Sequence, residues 1–552
     1  MNDFGSKIYA AAQKAVKEVY DLEPAEGQLI IETPQDTKLG DYSTSIAMKL
    51  SRTLRRNPME IAEPLTAKLA ELLPECESIT VARPGFINFK LKQSALAAVI
   101  NEVIAAGDDY GKNDSGKDKH MLLEWVSANP TGDLHCGHAR NAAWGDCICR
   151  LMEASGWDVL REFYVNDAGN QIVKLGESLT ARYFEYFGKE YPLPEDGYHA
   201  DDIKEIAAQL AKEEGDKWLT ADPKERLAYF MDYGKKKELE KIDRDLKTYR
   251  VTMQSWMHET FFYEDNCKRI NACLDRMADM GLTYEKDGAL WFKSTDYGDE
   301  KDRVLRKSDG TFSYLTPDIA NHVYKVERGY PLLVDLWGAD HHSYVIRMQN
   351  ALTALGYPKG TLEVDLIQMV RMVEDGKEVK MSKRTGNAIT LRELCEDIGV
   401  DAARWFFVSK DVATHMDLDL KLARSKDNNN PVYYAQYAYS RMCSILRNPQ
   451  IPEFKSVDVY ERLTDEKEMQ MLKLISEFPK EVAADALNRK PNKMTEYIIS
   501  LVKVFHSYYN STKVNNPDDP ELTNQRLGLI KATMITLKNA LQLIGVSAPE
   551  TM

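Results

Sequence analysis

Residues His120–Val165 read HMLLEWVSANPTGDLHCGHARNAAWGDCICRLMEASGWDVLREFYV. The run HMLLEWV (120–126) is short and almost continuously apolar, the pattern of a strand buried on both faces of a parallel sheet. The loop SANPTGDLHCGH (127–138) follows, and ARNAAWGDCICRLMEASG (139–156) continues as a helix. VLREFYV (159–165) is a second strand. Strand, loop, helix, strand is a βαβ unit, which predicts a doubly wound, Rossmann-type α/β domain with a parallel sheet.

Farther along, LLVDLWG (332–338) and DLIQMVRMV (365–373) are the next strands expected. An acidic stretch, about 178–300, interrupts the alternation and reads as a helical insertion. Upstream, residues 1–113 read as a smaller α/β unit. Ile8, Ala11, Ala12, Ala15, Val16 and Val19 recur at helical spacing, LIIET follows as a strand, a helix starts near Ser43, and GFINFKL closes the unit as a strand. Gly107–Lys119 has the composition of a linker. Beyond about 426 strand signals stop, and helical patterns run to Gly545 and Pro549, a good helix stop. The expected order is an appended unit (1–113), an α/β domain (114–425) and an all-helical bundle (426–552).

A chain of 552 residues is too long for one core. It has no apolar run long enough for a membrane span and no secretory h-region, so a cytoplasmic protein without membrane contact is expected. Its eight cysteines include no CxxC pair, which supports neither a zinc knuckle nor a disulfide framework, and no metal site is expected. The net charge of −14 argues against general nucleic-acid binding. Locally, though, Lys421, Arg424, Lys426, Arg441 and Arg447 face Asp427 alone within 421–450. Tyr433, Tyr434, Tyr437 and Tyr439 are interleaved with them. Such a basic, aromatic surface suits a folded RNA, and Arg441, Tyr433 and Tyr434 are its candidate contacts.

The loop before the first helix carries Asn129, Pro130, Thr131, Gly132, Asp133, Leu134, His135, Cys136, Gly137, His138 and Ala139. A helix start offers free N–H groups and a positive dipole end, which suit phosphate. His135 and His138 are three apart, so both rings fall on one face of the first turn and can donate to phosphate oxygens. Gly137 lets a flat base approach the backbone. Alone, four such positions would mark only two surface histidines in a turn. A second stretch, VEDGKEVKMSKRTGNAITL, sets Lys380, Met381, Ser382, Lys383 and Arg384 between Gly376 and Gly386. Alone it would be a solvated basic turn. A cationic loop of this kind can also close on a polyphosphate and stabilise departing pyrophosphate.

Together, at opposite ends of one α/β region, the two stretches resemble the HIGH and KMSK motifs of class I aminoacyl-tRNA synthetases. EWVSANPTGDLHCGHARNAAWGD, FYVNDAGNQI, SYLTPDIANHVYK, WGADHHSYVIRM and NPVYYAQYAYSRMCSILR extend the likeness, specifically to the bacterial arginyl-tRNA synthetase family, over nearly the whole chain. The resemblance implies ATP, with Mg²⁺ bound alongside it, L-arginine and the arginine tRNA as substrates, and a monomeric enzyme. It implies phosphate contacts by His135, His138, Lys380 and Lys383, an amino-terminal unit for the tRNA elbow and anticodon-binding helices. For arginine it implies Glu124, Asn129, Tyr314 and Asp318, with Ser127, His341 and Gln171 near the substrates. A guanidinium is a planar fork of donors that needs a carboxylate, and the α-amino group needs another acceptor. Glu124 and Asp318 divide these tasks, with Asp318 favoured for the guanidinium. Other readings of the motifs are a cysteinyl synthetase, a non-catalytic tRNA-binding paralogue and a small-molecule nucleotidyltransferase.

Overall fold

The computed structural model describes residues 4–34, 39–379 and 388–552. Its centre is a five-stranded sheet of β1 (His120–Glu124), β2 (Asp158–Val165), β3 (Ser255–His258), β4 (Leu332–Gly338) and β5 (Leu362–Ile367), in the order β5-β4-β1-β2-β3. Every pairing is parallel. Met121, Leu122 and Leu123 are fully buried, because helices cover both faces and leave no polar side for the strand to expose. The chain runs outward from β1 to β2 and β3 and then returns to the other side of β1 as β4, so the strand order reverses between β1 and β4, where a crevice opens at their carboxyl ends.

Helix α1 (Cys136–Ala154) follows β1 and is buried almost all round. Gly145 permits this packing: a Cβ there would come within 2.6 Å of the Trp125 ring. Most polar groups that α1 buries are partnered, with Arg140 Nε and Trp144 Nε1 the exceptions among the described residues. Arg140 donates to the carbonyls of Gln368, Asp411 and Thr414. Asp146 meets Arg150, Arg161 and Arg404.

The region 178–300 is not wholly helical. Helices α2 (Asn170–Tyr186), α3 (Asp201–Glu214) and α4 (Pro223–Thr248) form an insertion with its own small core. The chain then returns to the main sheet as β3 and passes through α5 (Thr260–Asp279). Thr283–Lys286, Ala289–Phe292 and Arg303–Arg306 pair as a small antiparallel sheet. These strands are four residues each, too short for a clear period-two signal. The run 365–373 also divides: β5 ends at Ile367, and Val370–Glu374 joins a different sheet. Helices α6 (Leu315–Glu327) and α7 (His342–Ala354) flank β4.

In the amino-terminal unit, helices Phe4–Tyr20, Ile46–Leu54 and Pro58–Leu72 cover a three-stranded antiparallel sheet. LIIET contributes one isolated bridge, Glu32 to Ser43, instead of a strand. Ser43 lies in the strand Tyr42–Thr44, and its helix starts at Ile46. The expected linker is pinned down: Asn539 donates to the carbonyls of Gly107 and Tyr110, and the buried Tyr110 hydroxyl donates to Ile475.

Helices α8 (Pro431–Leu446), α9 (Glu466–Asn488), α10 (Pro491–Ser511) and α11 (Pro520–Leu543) form the helical bundle. The segment after α11 is clamped to the α/β domain. Arg404, fully buried, donates to the carbonyls of Ile544 and Tyr249 as well as to Asp146. Arg250 reaches the Gly545 carbonyl, and Ser547 binds Asp401. Among the described residues no helix is long and apolar enough to cross a membrane.

Candidate active site

The crevice at the ends of β1 and β4 has a volume of about 940 Å³ and is lined by Glu124, Ser127, His135, Gly137, His138, Asp318 and His341 among others. The backbone turns sharply into it. Val126 and Ser127 have φ of +67° and +37°, left-handed values that non-glycine residues rarely adopt. The Asn141 side chain, on α1, accepts from the Val126 N–H and helps hold the turn.

His135 is the N-cap of α1. Its Nδ1 accepts from the Gly137 N–H at 3.1 Å, and His138 Nδ1 accepts from the His135 N–H at 3.3 Å. Each neutral ring must therefore carry its proton on Nε2. The rings stack with centroids 3.9 Å apart. Burial, and then the neighbouring His135, pushes His138 down to about 3, and burial lowers His135 as well. Near neutral pH the pair is uncharged and offers two N–H donors beside a helix start, as phosphate binding requires.

The opposite wall is acidic. Glu124 ends β1; Ser127 donates to its Oε1 at 3.0 Å and Lys325 to its Oε2 at 2.6 Å. Lys325 is fully buried and also lies 3.2 Å from Asp335. His322 bridges Asp335 (2.8 Å) and the Asp318 carbonyl (2.7 Å). The Asp318 carboxylate accepts from the Tyr344 hydroxyl. Glu259 stands behind it, pushed up to about 7 by burial and by the charges of Asp318 and Asp167. Burial also raises Glu124 and Asp318. The buried Tyr164 hydroxyl, without a hydrogen-bond partner among the described residues, lies in the field of Glu259, Asp318 and Glu124. Three carboxylates held above their ordinary range, with one lysine among them, describe a pocket short of positive charge.

The crevice thus gathers Glu124, Ser127, His135, His138, Asp318 and His341. Asn129 is exposed on the lip and accepts from Asn166, which lines the crevice. Pro130, Leu134 and Ala139 are buried, Thr131 and Cys136 half-buried, and Gly132 and Asp133 line a neighbouring cavity. Gln171 is exposed at the start of α2. Tyr314 departs from expectation: it is 90% exposed at the start of α6, outside the crevice lining. Lys380, Met381, Ser382 and Lys383 lie outside the described residues. Sequence reading missed Tyr164, Glu259, His322, Lys325, Asp335 and Tyr344. The i, i+4, i+7 spacing is one signal that places two of these, His322 and Lys325, on the same helix face as Asp318.

The basic surface at 421–450 is mostly neutralised. Arg424 pairs with Asp397 and Glu374, Lys421 with Asp375, and Arg447 with Glu550. Arg441 differs: its guanidinium lies over the rings of Tyr437 and Tyr509, beside a groove of about 410 Å³ that also holds Asn448, Lys513 and Asn515. Tyr433 stacks on Tyr437, whereas Tyr434 packs against His506.

Family models match in three consecutive parts: "Arginyl tRNA synthetase N terminal domain" at residues 6–91, "tRNA synthetases class I (R), catalytic domain" at 99–419, and "DALR anticodon binding domain" at 435–552. The arginine–tRNA ligase of Bacillus subtilis is 49% identical over 526 residues, covering 95% of this chain and 94% of its own. A solved structure titled putative arginyl-tRNA synthetase, from Campylobacter jejuni, superposes with a TM-score of 0.77 at 32% identity, over 84% of this chain and all of its own. The Thermus thermophilus arginyl-tRNA synthetase shares the fold, with a TM-score of 0.76 at 21% identity, over 99% of this chain and all of its own. With that identity across nearly its full length, the chain belongs to the class I arginyl-tRNA synthetases.

Proposed function

We infer that the enzyme joins L-arginine to its tRNA in two steps through arginyl-adenylate, consuming ATP. The observation that carries this reading is the pairing, in one crevice, of a cation-deficient acidic wall with two neutral N–H donors at a helix start. Asp318, with Glu259 behind it, takes the guanidinium, and Glu124 with Ser127 takes the α-amino group. Tyr314, exposed at the start of α6, is assigned to the outer side of the amino acid. The arginine carboxylate is thereby aimed at the helix start. There it attacks the α-phosphorus of ATP, the bond to the β-phosphate breaks, and pyrophosphate leaves. His135 and His138 donate to oxygens whose charge changes in that step, and Lys380 and Lys383 meet the leaving group. The 2′-OH of the terminal adenosine then attacks the adenylate carbonyl and AMP departs. No side-chain nucleophile takes part. Mg²⁺ accompanying the nucleotide would supply neutralisation of its phosphate charge. Among the described residues no group of three His, Cys, Asp or Glu could hold a metal ion.

Residues 1–113 would hold the tRNA elbow, 114–425 the chemistry and 426–552 the anticodon arm, in a cytoplasmic monomer. Pyrophosphate exchange with each amino acid, with and without tRNA, tests the reading. Exchange should appear with arginine; exchange with cysteine, or with no amino acid, would sink it.

Arginine binding should release a proton. Glu259 is largely protonated below about 7, and a guanidinium alongside favours its ionised form. Arginine affinity should therefore fall as pH drops below 7. Calorimetry in buffers of different ionisation enthalpy reads the proton directly. Glu259→Gln should abolish its release; release undiminished in that variant would place the proton elsewhere.

For the tRNA, Arg441→Ala should weaken binding by about 1–3 kcal/mol through lost stacking. Lys421→Ala, whose charge is already paired, should do much less. Equal effects of the two on tRNA affinity across a salt series would contradict the groove assignment.

A further inference from the structure

Two cavities flank His135. One is the crevice above; the other, about 680 Å³, opens between the HIGH loop and the insertion and is lined by Asp133, Asp202, Lys241 and Arg392 among others. Its wall holds a cluster that the chemistry above does not use. Lys241, on α4, puts its ammonium 3.3 Å from Asp133, 2.6 Å from Asp202 and 2.6 Å from Glu238. The three carboxylates come from three elements: the HIGH loop, α3 and α4 itself. The Lys241 side chain is only 12% exposed, and Glu238 is fully buried.

We propose that Lys241 is a positioning residue for ATP activation: by gripping Asp133 it fixes the loop that presents His135 to the nucleotide. The proposal rests on reading that loop as the ATP site. Asp133 stands two residues before His135, so its placement sets the direction in which the chain enters α1. The loop's other ties include Thr131 N–H to the Asn129 carbonyl, Leu391 N–H to the Leu134 carbonyl, the bridge of His135 to Thr390 and the Asn166 side chain on Asn129, none of which holds Asp133. Arg392 adds attraction for Asp133 at longer range while its own guanidinium is held by Asp245 of α4. Both cations facing Asp133 are thus anchored to the same helix.

A purely structural role, holding α3 on α4, does not require this arrangement. The insertion packs through its own apolar core, with Leu175, Leu179, Ile203, Leu210 and Phe230 buried together. Asp133 adds nothing to that core; its contact with Lys241 serves the loop. Burial pushes Glu238 up to about 7 even with the Lys241 ammonium beside it.

The test compares Asp133→Asn, Lys241→Met, Lys241→Arg and the double variant Asp133→Asn/Lys241→Met, by pyrophosphate exchange and by calorimetric arginine binding. Asp133→Asn should raise the ATP KM about tenfold, within the range of coupling between contacting residues. Its arginine Kd should not change. Lys241→Arg should keep most of the wild-type ATP KM, and the double variant should be no worse than Lys241→Met. If Lys241→Met fails to fold, Asp133→Asn carries the test, because its exposed side chain leaves the insertion core intact. An unchanged ATP KM in Asp133→Asn, or fully additive losses in the double variant, overturns the proposal. His135→Ala separates the two levels. If it is defective while Asp133→Asn is not, the positioning role fails alone. If it too is unaffected, the reading of the loop as the ATP site fails.

Discussion

Asp318→Asn should raise the arginine KM by roughly two to three powers of ten while leaving the ATP KM near wild type. Asp318 is half-buried in the crevice wall, and Tyr344 already occupies one of its oxygens. On the proposed assignment the other is left for the guanidinium, a contact that would be made on binding and kept through the reaction. Asparagine preserves the shape but removes the charge and turns an N–H₂ toward a group that is itself all donors. Leaving a buried cation without its partner costs about 3–5 kcal/mol, which sets the size of the effect. Single-turnover adenylate formation is the proper measurement, since KM tracks binding only when chemistry is slow. Intact arginine binding in this variant would transfer the guanidinium to Glu124 or Glu259.

His138→Ala behaves in the opposite way. The rate of adenylate formation should fall about a hundredfold to a thousandfold, the loss typical of one preorganised donor, with the arginine KM nearly unchanged. The donor is preorganised because the His135 N–H occupies Nδ1 and fixes the proton on Nε2. The same bond caps α1, so a thermal melt must accompany the kinetics to separate a lost cap, worth ~1 kcal/mol, from a lost donor. A raised ATP KM with an unchanged rate would mean that the contact belongs to the ground state. The ring also carries a pH signature. Folded, it resists protonation down to about 3, whereas in the unfolded chain it takes a proton near the ordinary imidazole value of 6.5. Lowering the pH through that window therefore favours unfolding, and the stability that the neutral ring contributes is present only above it.

The sheet was legible where burial is two-sided. HMLLE and LLVDLWG are strands because no polar face had to be accommodated. Serine and histidine at the ends of SWMH hid an edge strand four residues long. LIIET misled in the other direction: apolar content alone does not secure a pairing partner. The site divides in the same manner. The histidines announce themselves because their chemistry is local, a helix start and a three-residue spacing. Lys325 could not, since Glu124 lies 201 positions away. The basic stretch at 421–450 was overread for the matching reason. Its neutralising acids come from Glu374, Asp375, Asp397 and Glu550, which a window along the chain does not join to it.

The clamp behind α11 has a consequence for synthesis on the ribosome. Asp146 waits for Arg404, 258 positions later, and Arg404 waits a further 140 for the Ile544 carbonyl. Until that carbonyl emerges, a guanidinium under the α/β domain lacks an acceptor, and a buried donor left unmet costs about 1–3 kcal/mol. The nucleotide-binding half of a nascent chain is thus complete in sequence long before it is complete in structure. Vectorial, domain-by-domain folding is interrupted here, and a chain stalled short of Ile544 exposes an unfinished seam to chaperones and proteases.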